Sequence, residues 1–289
     1  MRHPILSGLV VVALGGAGHA FAAPAKVDPA PVVAAEHAFA ADALVMGIEA
    51  SFNKNATPDA IVISGGKAVK VGEAYDPKAK PAPADPALAW WPTFAGIASS
   101  GDLGFTTGPV EVGGKRSGHY FTVWKKQADG TWKWIYDGGV GATATDEAPA
   151  SAPAKYLPLS TARPRYPEGA FTAVKAEEAK LAARAKVDQK TAFLTVLADD
   201  GRVHAAQLPP AKDRAAFATV LASYPMSIDL AAPAGGEVSK AGDLAYTYGE
   251  AKWAPATGPR SGWYVHVWQN RKEGWRLVYS QILPTRVAA

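Results

Sequence analysis

Two stretches of the chain carry apolar residues at helical spacing, and each is followed by segments that alternate as strands do. Phe39, Ala43, Met46 and Ala50 recur every three or four positions, with Leu44, Ile48 and Phe52 widening the stripe, which predicts an amphipathic helix ending near Phe52. Val174 to Leu197 is rich in Ala, Lys and Glu and holds no Pro or Gly, which predicts one long helix. Leu103–Thr107, Tyr120–Trp124 and Trp132–Asp137 are β-branched and aromatic runs separated by Gly-Pro, Gly-Gly and Asp-Gly turn signals, so they predict an antiparallel meander. A helix first and a meander after it gives the class α+β. Successive strand residues face opposite ways, so Tyr120, Thr122 and Trp124 oppose Phe121 and Val123, and Tyr264, His266 and Trp268 oppose Trp263, Val265 and Val267. Both faces are apolar, and both need a cover. The helices supply one, and the other half of the chain is the expected second, giving an intramolecular pseudo-dimer.

That expectation follows from an internal repeat. Gly101-Asp102-Leu103-Gly104-Phe105-Thr106 returns 141 positions later as Gly242-Asp243-Leu244-Ala245-Tyr246-Thr247. Arg116-Ser117-Gly118 through Trp124 is answered by Arg260-Ser261-Gly262 through Trp268, and Phe52, Asp59 and Pro92 by Phe193, Asp200 and Pro233. A period of this length is that of a duplicated domain, not of a solenoid unit. The boundaries read as a first domain over 35–140, a Pro/Ala-rich linker over 141–171 and a second domain over 172–286. Tyr156, Leu157 and Leu159 are the linker's own apolar anchors.

Ahead of the first domain, Arg2, the apolar run Ile5–Leu14 and Ala20-Phe21-Ala22 stand in the order of a secretory signal peptide, read as residues 1–22 with an Ala/Pro tether over 23–34. The expected location is periplasmic or secreted, with no membrane contact after cleavage. The chain has no cysteine, which excludes a disulfide framework and thiolate metal ligation. The formal net charge of +4 falls to +3 without Arg2 and comes from no basic run, so nucleic acid is not an expected partner.

The helix ending in Phe52, then Asp59-Ala60-Ile61-Val62, Ser100 to Gly108, Gly118 to Gln127 and Asp129 to Lys133 resemble the SnoaL-like, ketosteroid-isomerase-like branch of the nuclear transport factor 2-like superfamily. The resemblance covers most of residues 35–140 and, more loosely, 172–286. It implies two tandem cone-shaped domains, each a curved antiparallel sheet wrapped around N-terminal helices with an apolar cavity at the open end. The superfamily hosts isomerases, dehydratases and cyclases as well as non-catalytic binding modules, so the fold does not choose among them. Ketosteroid isomerase places an Asp base beside a Tyr and a protonated Asp, and no motif carries those three residues onto this chain one by one.

Candidate chemistry rests on single positions. Asp137 ends a strand where the second copy has Ser280, so it is a candidate general base, with Tyr120 or Tyr136 as the oxyanion donor; a structural strand-end carboxylate is the competing reading. Trp90 and Trp91, which have no aromatic counterpart in the second copy, join Trp124, Tyr264, His266 and Trp268 as candidate ligand contacts against the alternative of ordinary sheet aromatics. Asp59, Asp102, Asp200 and Asp243 read as turn residues. The histidines lack metal-ligand spacing, and Gly138-Gly139-Val140-Gly141 leads into the linker rather than a helix, so neither a metal nor a phosphate-bearing cofactor is expected. These readings favour an exported, cofactor-free binder of a small, mostly apolar molecule. The alternatives are an acid/base enzyme of isomerase, dehydratase or cyclase type, or a periplasmic protein-interaction module.

Overall fold

A computed structural model describes residues 27–142, 147–162 and 167–285. The segment read as a signal peptide lies outside the described residues, as does the tether up to residue 26.

Helix α1 (Ala30–Asn55) opens with Pro31 in its first turn, where a missing N–H costs nothing, and buries Val32, Glu36, Phe39, Ala43 and Phe52. Leu44 and Ile48, expected in the stripe, are instead exposed. The reason is Gly47, whose φ of 77° breaks the helix and rotates the two halves of the stripe apart. Ala82 N donates to Met46 O at 3.1 Å as the chain crosses α1 there, and a Cβ on Gly47 would lie 2.1 Å from Ala82 O. Helix α3 (Ala170–Val196) is likewise broken, at Asp188, rather than continuous as its composition predicts. The Asp188 carboxylate takes hydrogen bonds from Thr191 N at 3.0 Å and Thr191 Oγ1 at 2.7 Å, capping the helix that restarts beyond it.

The first sheet contains β1 (Ala56–Ser64), β2 (Lys67–Lys70), β3 (Leu88–Trp90), β4 (Phe94–Ile97), β5 (Leu103–Val112), β6 (Lys115–Lys126), β7 (Trp132–Gly141) and β8 (Lys155–Tyr156), with the single turn α2 (Val71–Ala74) after β2. Its order is β2-β1-β7-β6-β5-β4-β8, with β3 also on β5. The second contains β9 (Leu197–Ala205), β10 (Ile228–Leu230), β11 (Gly235–Val238), β12 (Leu244–Trp253), β13 (Arg260–Arg271) and β14 (Gly274–Pro284), with α4 (Arg214–Leu221) between β9 and β10. Its order is β10-β12-β13-β14-β9, with β11 also on β12. The meanders β5-β6-β7 and β12-β13-β14 are antiparallel as expected, whereas β1 on β7 and β9 on β14 are parallel. Asp59 and Asp200 therefore stand inside strands, next to the register irregularities of those parallel pairs, and not in turns. The stretch read as a linker contributes β8, which pairs with β4, and Leu157, which is buried in the core.

The alternation of β6 and β13 divides the interior. Tyr120 and Trp124 pack toward α1, and Tyr264 and Trp268 toward α3. Phe121, Val123, Val265 and Val267 share a third cluster with Phe105, Tyr246 and Tyr279, drawn from both sheets. Phe121 stacks on Tyr279 with centroids 3.9 Å apart, a contact worth about 0.5–1.5 kcal/mol beyond its buried area. The repeated Gly-Asp-Leu turns also reach across. Asp243 Oδ2 accepts from Ser99 N at 3.0 Å while Asp102 Oδ2 accepts from Lys240 N at 3.1 Å, the same contact made in both directions.

Candidate functional site

On each of the two long helices, α1 and α3, one carboxyl side chain points into the apolar core. Glu36 of α1 is 0% exposed and accepts from Trp90 Nε1 at 2.6 Å, Thr106 Oγ1 at 2.5 Å and Trp124 Nε1 at 2.9 Å. Glu178 of α3 accepts from Thr247 Oγ1 at 2.5 Å and Trp268 Nε1 at 2.6 Å, and its carboxylate meets His266 Nδ1 at 3.0 Å. Thr106 and Thr247, and Trp124 and Trp268, are equivalent positions of the repeat, so the same polar hub is built twice. A carboxyl taken out of water is tolerated only where donors replace the lost hydration. Trp and Thr on the helix-facing side of the sheet supply them.

The two hubs differ in charge. In the β6/β7 register Thr122 faces Asp137, and in the β13/β14 register His266 faces Ser280. The second copy thus gives its buried glutamate an imidazole, while the first places a second carboxyl nearby. Burial pushes Glu178 up, but the charge of His266 and the hydrogen bonds from His266, Thr247 and Trp268 outweigh it and hold the carboxyl below its ordinary value. Burial raises Glu36 above its ordinary value against the opposing hydrogen bonds of Thr106, Trp90 and Trp124. Asp137 is raised further, by burial first and by the neighbouring Glu36 carboxylate second, against the Thr122 hydroxyl 2.8 Å away.

Asp137 lies in the wall of a cavity of about 330 Å³ between α1 and the first sheet, together with Phe39, Phe52, Tyr75, Trp90 and Tyr120. Two features keep this space open. Gly139, opposite Tyr120 on β7, brings no side chain, whereas Ile282, opposite Tyr264 on β14, is 4% exposed and fills the matching position. The turn α2 is four residues long, whereas α4 drives Phe217, Val220 and Leu221 into the second core. Burial is the main force holding the Tyr75 and Tyr120 hydroxyls in the protonated form. The Tyr120 hydroxyl leans on Thr106 without a hydrogen bond of good geometry.

Of the residues singled out in the sequence, Asp137, Tyr120 and Trp90 share this cavity. Trp124 sits behind it on Glu36, fully buried. Tyr136 does not accompany Asp137: adjacent strand residues face opposite ways, and its ring packs 6.1 Å from Tyr246 and 5.7 Å from Tyr248, between the sheets. Trp91 lies outside, donating to Ala148 O at 2.9 Å beneath the Arg116 guanidinium. Tyr264 donates to Ala231 O at 3.0 Å, while His266 and Trp268 meet Glu178, so these three stand in the second core and not around this cavity. Asp102 and Asp243 clasp the opposite copy rather than merely closing their own turns. Glu36, Glu178 and Tyr75 escape the sequence reading. The first two carry a legible signal, since Val32/Glu36/Phe39/Ala43 and Val174/Glu178/Leu181/Ala185 have the same helical spacing with a carboxyl inside the stripe.

No protein-family model matches the chain, and no curated protein matches it by sequence. Solved structures do resemble it. An NTF2-like protein with a cystatin-like fold from Novosphingobium aromaticivorans is 17% identical, with a TM-score of 0.34, over 42% of this chain and 86% of that one. A ketosteroid isomerase-like protein from Erwinia carotovora atroseptica is 17% identical, with a TM-score of 0.32, over 43% of this chain and 98% of that one. A protein of unknown function with a cystatin-like fold from Nostoc punctiforme is 16% identical, with a TM-score of 0.32, over 38% of this chain and 90% of that one.

Proposed function

We propose that this is an exported protein of two SnoaL-like copies, in which the first copy binds a small, mostly apolar molecule and the second is a filled scaffold. The observation that carries the reading is the contrast between the two helix-to-sheet spaces: one is an aromatic cavity with Asp137 in its wall, and the other is occupied by Phe217, Leu221 and Ile282. The volume suits a ligand of about 15 heavy atoms; at about 0.3 kcal/mol per atom, apolar contact alone gives a dissociation constant of roughly 0.5 mM. Tighter binding needs the polar groups of the wall. The two-way Asp102 and Asp243 contacts support reading the copies as an intramolecular pseudo-dimer, the second serving to cover the apolar sheet face of the first. The order of Arg2, Ile5–Leu14 and Ala20–Ala22 supports export to the periplasm or beyond.

An acid/base enzyme is the second reading, favoured by one observation. Burial beside Glu36 raises Asp137, which brings a carboxyl toward the range where a general base is effective at neutral pH, and the Tyr120 hydroxyl shares the same cavity. Native mass spectrometry on protein exported by its own leader and purified without detergent tests the primary reading. A retained molecule that is lost on Val110→Trp, which fills the cavity, supports a binder; retention unaffected by Val110→Trp places the ligand elsewhere and overturns the assignment.

A further inference from the structure

The wall of the first cavity has a composition that an uncharged ligand does not use. Around it stand five aromatic rings in a connected set: Phe52 lies 4.6 Å from Tyr75 and 4.8 Å from Phe39, Phe39 lies 4.9 Å from Trp90, and Trp90 lies 6.5 Å from Tyr120. The cavity wall includes one carboxyl, Asp137, with a second, Glu36, held behind it by Trp90 and Trp124. Among the described residues no lysine or arginine lines the cavity, and no cationic side chain is among the groups acting on Asp137. The wall's single imidazole, His119, sets its ring 5.3 Å from that of His204, a residue of the second sheet. The two carboxyls of this compartment, both raised above their ordinary values by burial, therefore have no lysine or arginine in the wall beside them among the described residues.

The duplicated copy shows how the chain itself resolves the same situation. There the buried carboxylate of Glu178 is met by His266 at 3.0 Å, with the ring of Phe193 5.7 Å and that of Tyr264 4.5 Å from the imidazole. An imidazole among aromatic rings against a buried carboxyl is built in from the protein's own residues. In the first copy Thr122 takes the place of His266 and an open cavity remains, so no imidazole of the chain stands at that position and the space is left for a group from outside. Aromatic faces and a carboxylate act together on one ligand chemistry: they attract an alkylammonium, and they do so most strongly where water is excluded.

Resting on the reading of this cavity as the binding site, we infer that its ligand is an organic cation, a small alkylammonium or quaternary ammonium compound caged by Phe39, Phe52, Tyr75, Trp90 and Tyr120, with Asp137 as its counter-ion. A neutral molecule of the same shape meets the same rings but leaves Asp137 with the Thr122 hydroxyl and no counter-ion.

The test uses the full mature chain and two probes of nearly the same shape, choline and its uncharged isostere 3,3-dimethylbutan-1-ol, titrated by calorimetry. Choline is expected to bind about tenfold or more tighter than the alcohol. Asp137→Asn is expected to bring choline down to the level of the alcohol while leaving the alcohol unchanged. Equal or tighter binding of the alcohol, or choline binding unchanged in Asp137→Asn, overturns the cation assignment and leaves the cavity as an apolar site. Should Asp137→Asn not fold, the ratio of the two probes on the unaltered chain decides alone. Binding of neither probe overturns the inference; failure of the cavity reading itself shows separately, as a retained apolar molecule indifferent to Val110→Trp.

Discussion

Replacing each buried glutamate by glutamine should give stability changes whose pH dependence has opposite sign, although the two hubs are built from equivalent residues. Glu178 is held below its ordinary value of 4.5, so its contribution is fully present above that pH and is lost as pH falls through the folded-state value. Glu178→Gln removes the anion beside His266 and leaves Trp268 and Thr247 with a poorer acceptor. Breaking one side of a buried pair costs about 3–5 kcal/mol. This deficit should be largest near pH 6 and shrink in acid. Glu36 is raised, so the folded chain keeps a proton that the unfolded chain releases, and the native state loses stability as pH rises above 4.5. The slope is at most about 1.4 kcal/mol per pH unit while the two states differ by one proton. Glu36→Gln abolishes that loss, at a fixed cost of about 1–3 kcal/mol because an amide cannot accept from Trp90, Thr106 and Trp124 together. Relative to the unaltered protein, Glu36→Gln should therefore gain stability from pH 5 to pH 8. Removing the Glu36 charge also relieves Asp137, which adds to the gain in the same direction. Urea unfolding at 25 °C across this range measures both variants. Parallel pH profiles for the two, or a Glu178→Gln deficit that grows in acid, would refute the opposite-charge account of the hubs.

Other outcomes follow from the packing. Asp137→Asn should raise stability near pH 8 by about 1 kcal/mol in thermal or urea unfolding, since it removes a desolvated carboxyl whose stability contribution declines as pH rises above its ordinary 3.8. Phe217→Ala should cost about 3–5 kcal/mol and open an apolar void in the second copy that takes up xenon under pressure, because Phe217 is 0% exposed. Asp243→Ala should cost about 1–3 kcal/mol, as Asp243 is 1% exposed and satisfies both Ser99 N and Ser239 Oγ. Gly47→Ala should be strongly destabilised, because φ 77° with ψ 178° is a backbone conformation kept almost entirely for glycine and its Cβ would meet Ala82 O at 2.1 Å; chemical unfolding checks it.

The sequence made the strand faces legible because alternation is local. Tyr120 and Trp124 against Phe121 and Val123 could be sorted by counting in twos, and the need for two covers followed. Counting failed where the backbone inserts a residue. Trp134 and Tyr136 should share a face, but the β6/β7 register slips between Val123 and Trp124, so Ile135 is an extra residue and Tyr136 turns toward the other sheet. The same slip occurs between Val267 and Trp268. The helix stripe failed at Gly47 for a tertiary reason, a chain segment crossing above it. Glu36 was hidden twice: a periodicity count of apolar residues passes over a carboxyl, and the repeat offset is 142 before the helix break but 141 after it, which aligns Glu36 with Glu177 instead of Glu178. Asp137 was legible because the copies differ there. Its environment was not, since the second carboxyl, the ring of Tyr75 and the missing plug come from distant parts of the chain.

With the helix-to-sheet space open in the first copy and filled in the second, a small apolar fluorophore counts the sites by titration. One site per chain is expected, lost on Val110→Trp and retained on Lys252→Ala, which alters the open cleft that Lys252, Trp253 and Arg260 line on the second copy. Two equivalent sites per chain, or one site indifferent to Val110→Trp, would contradict it.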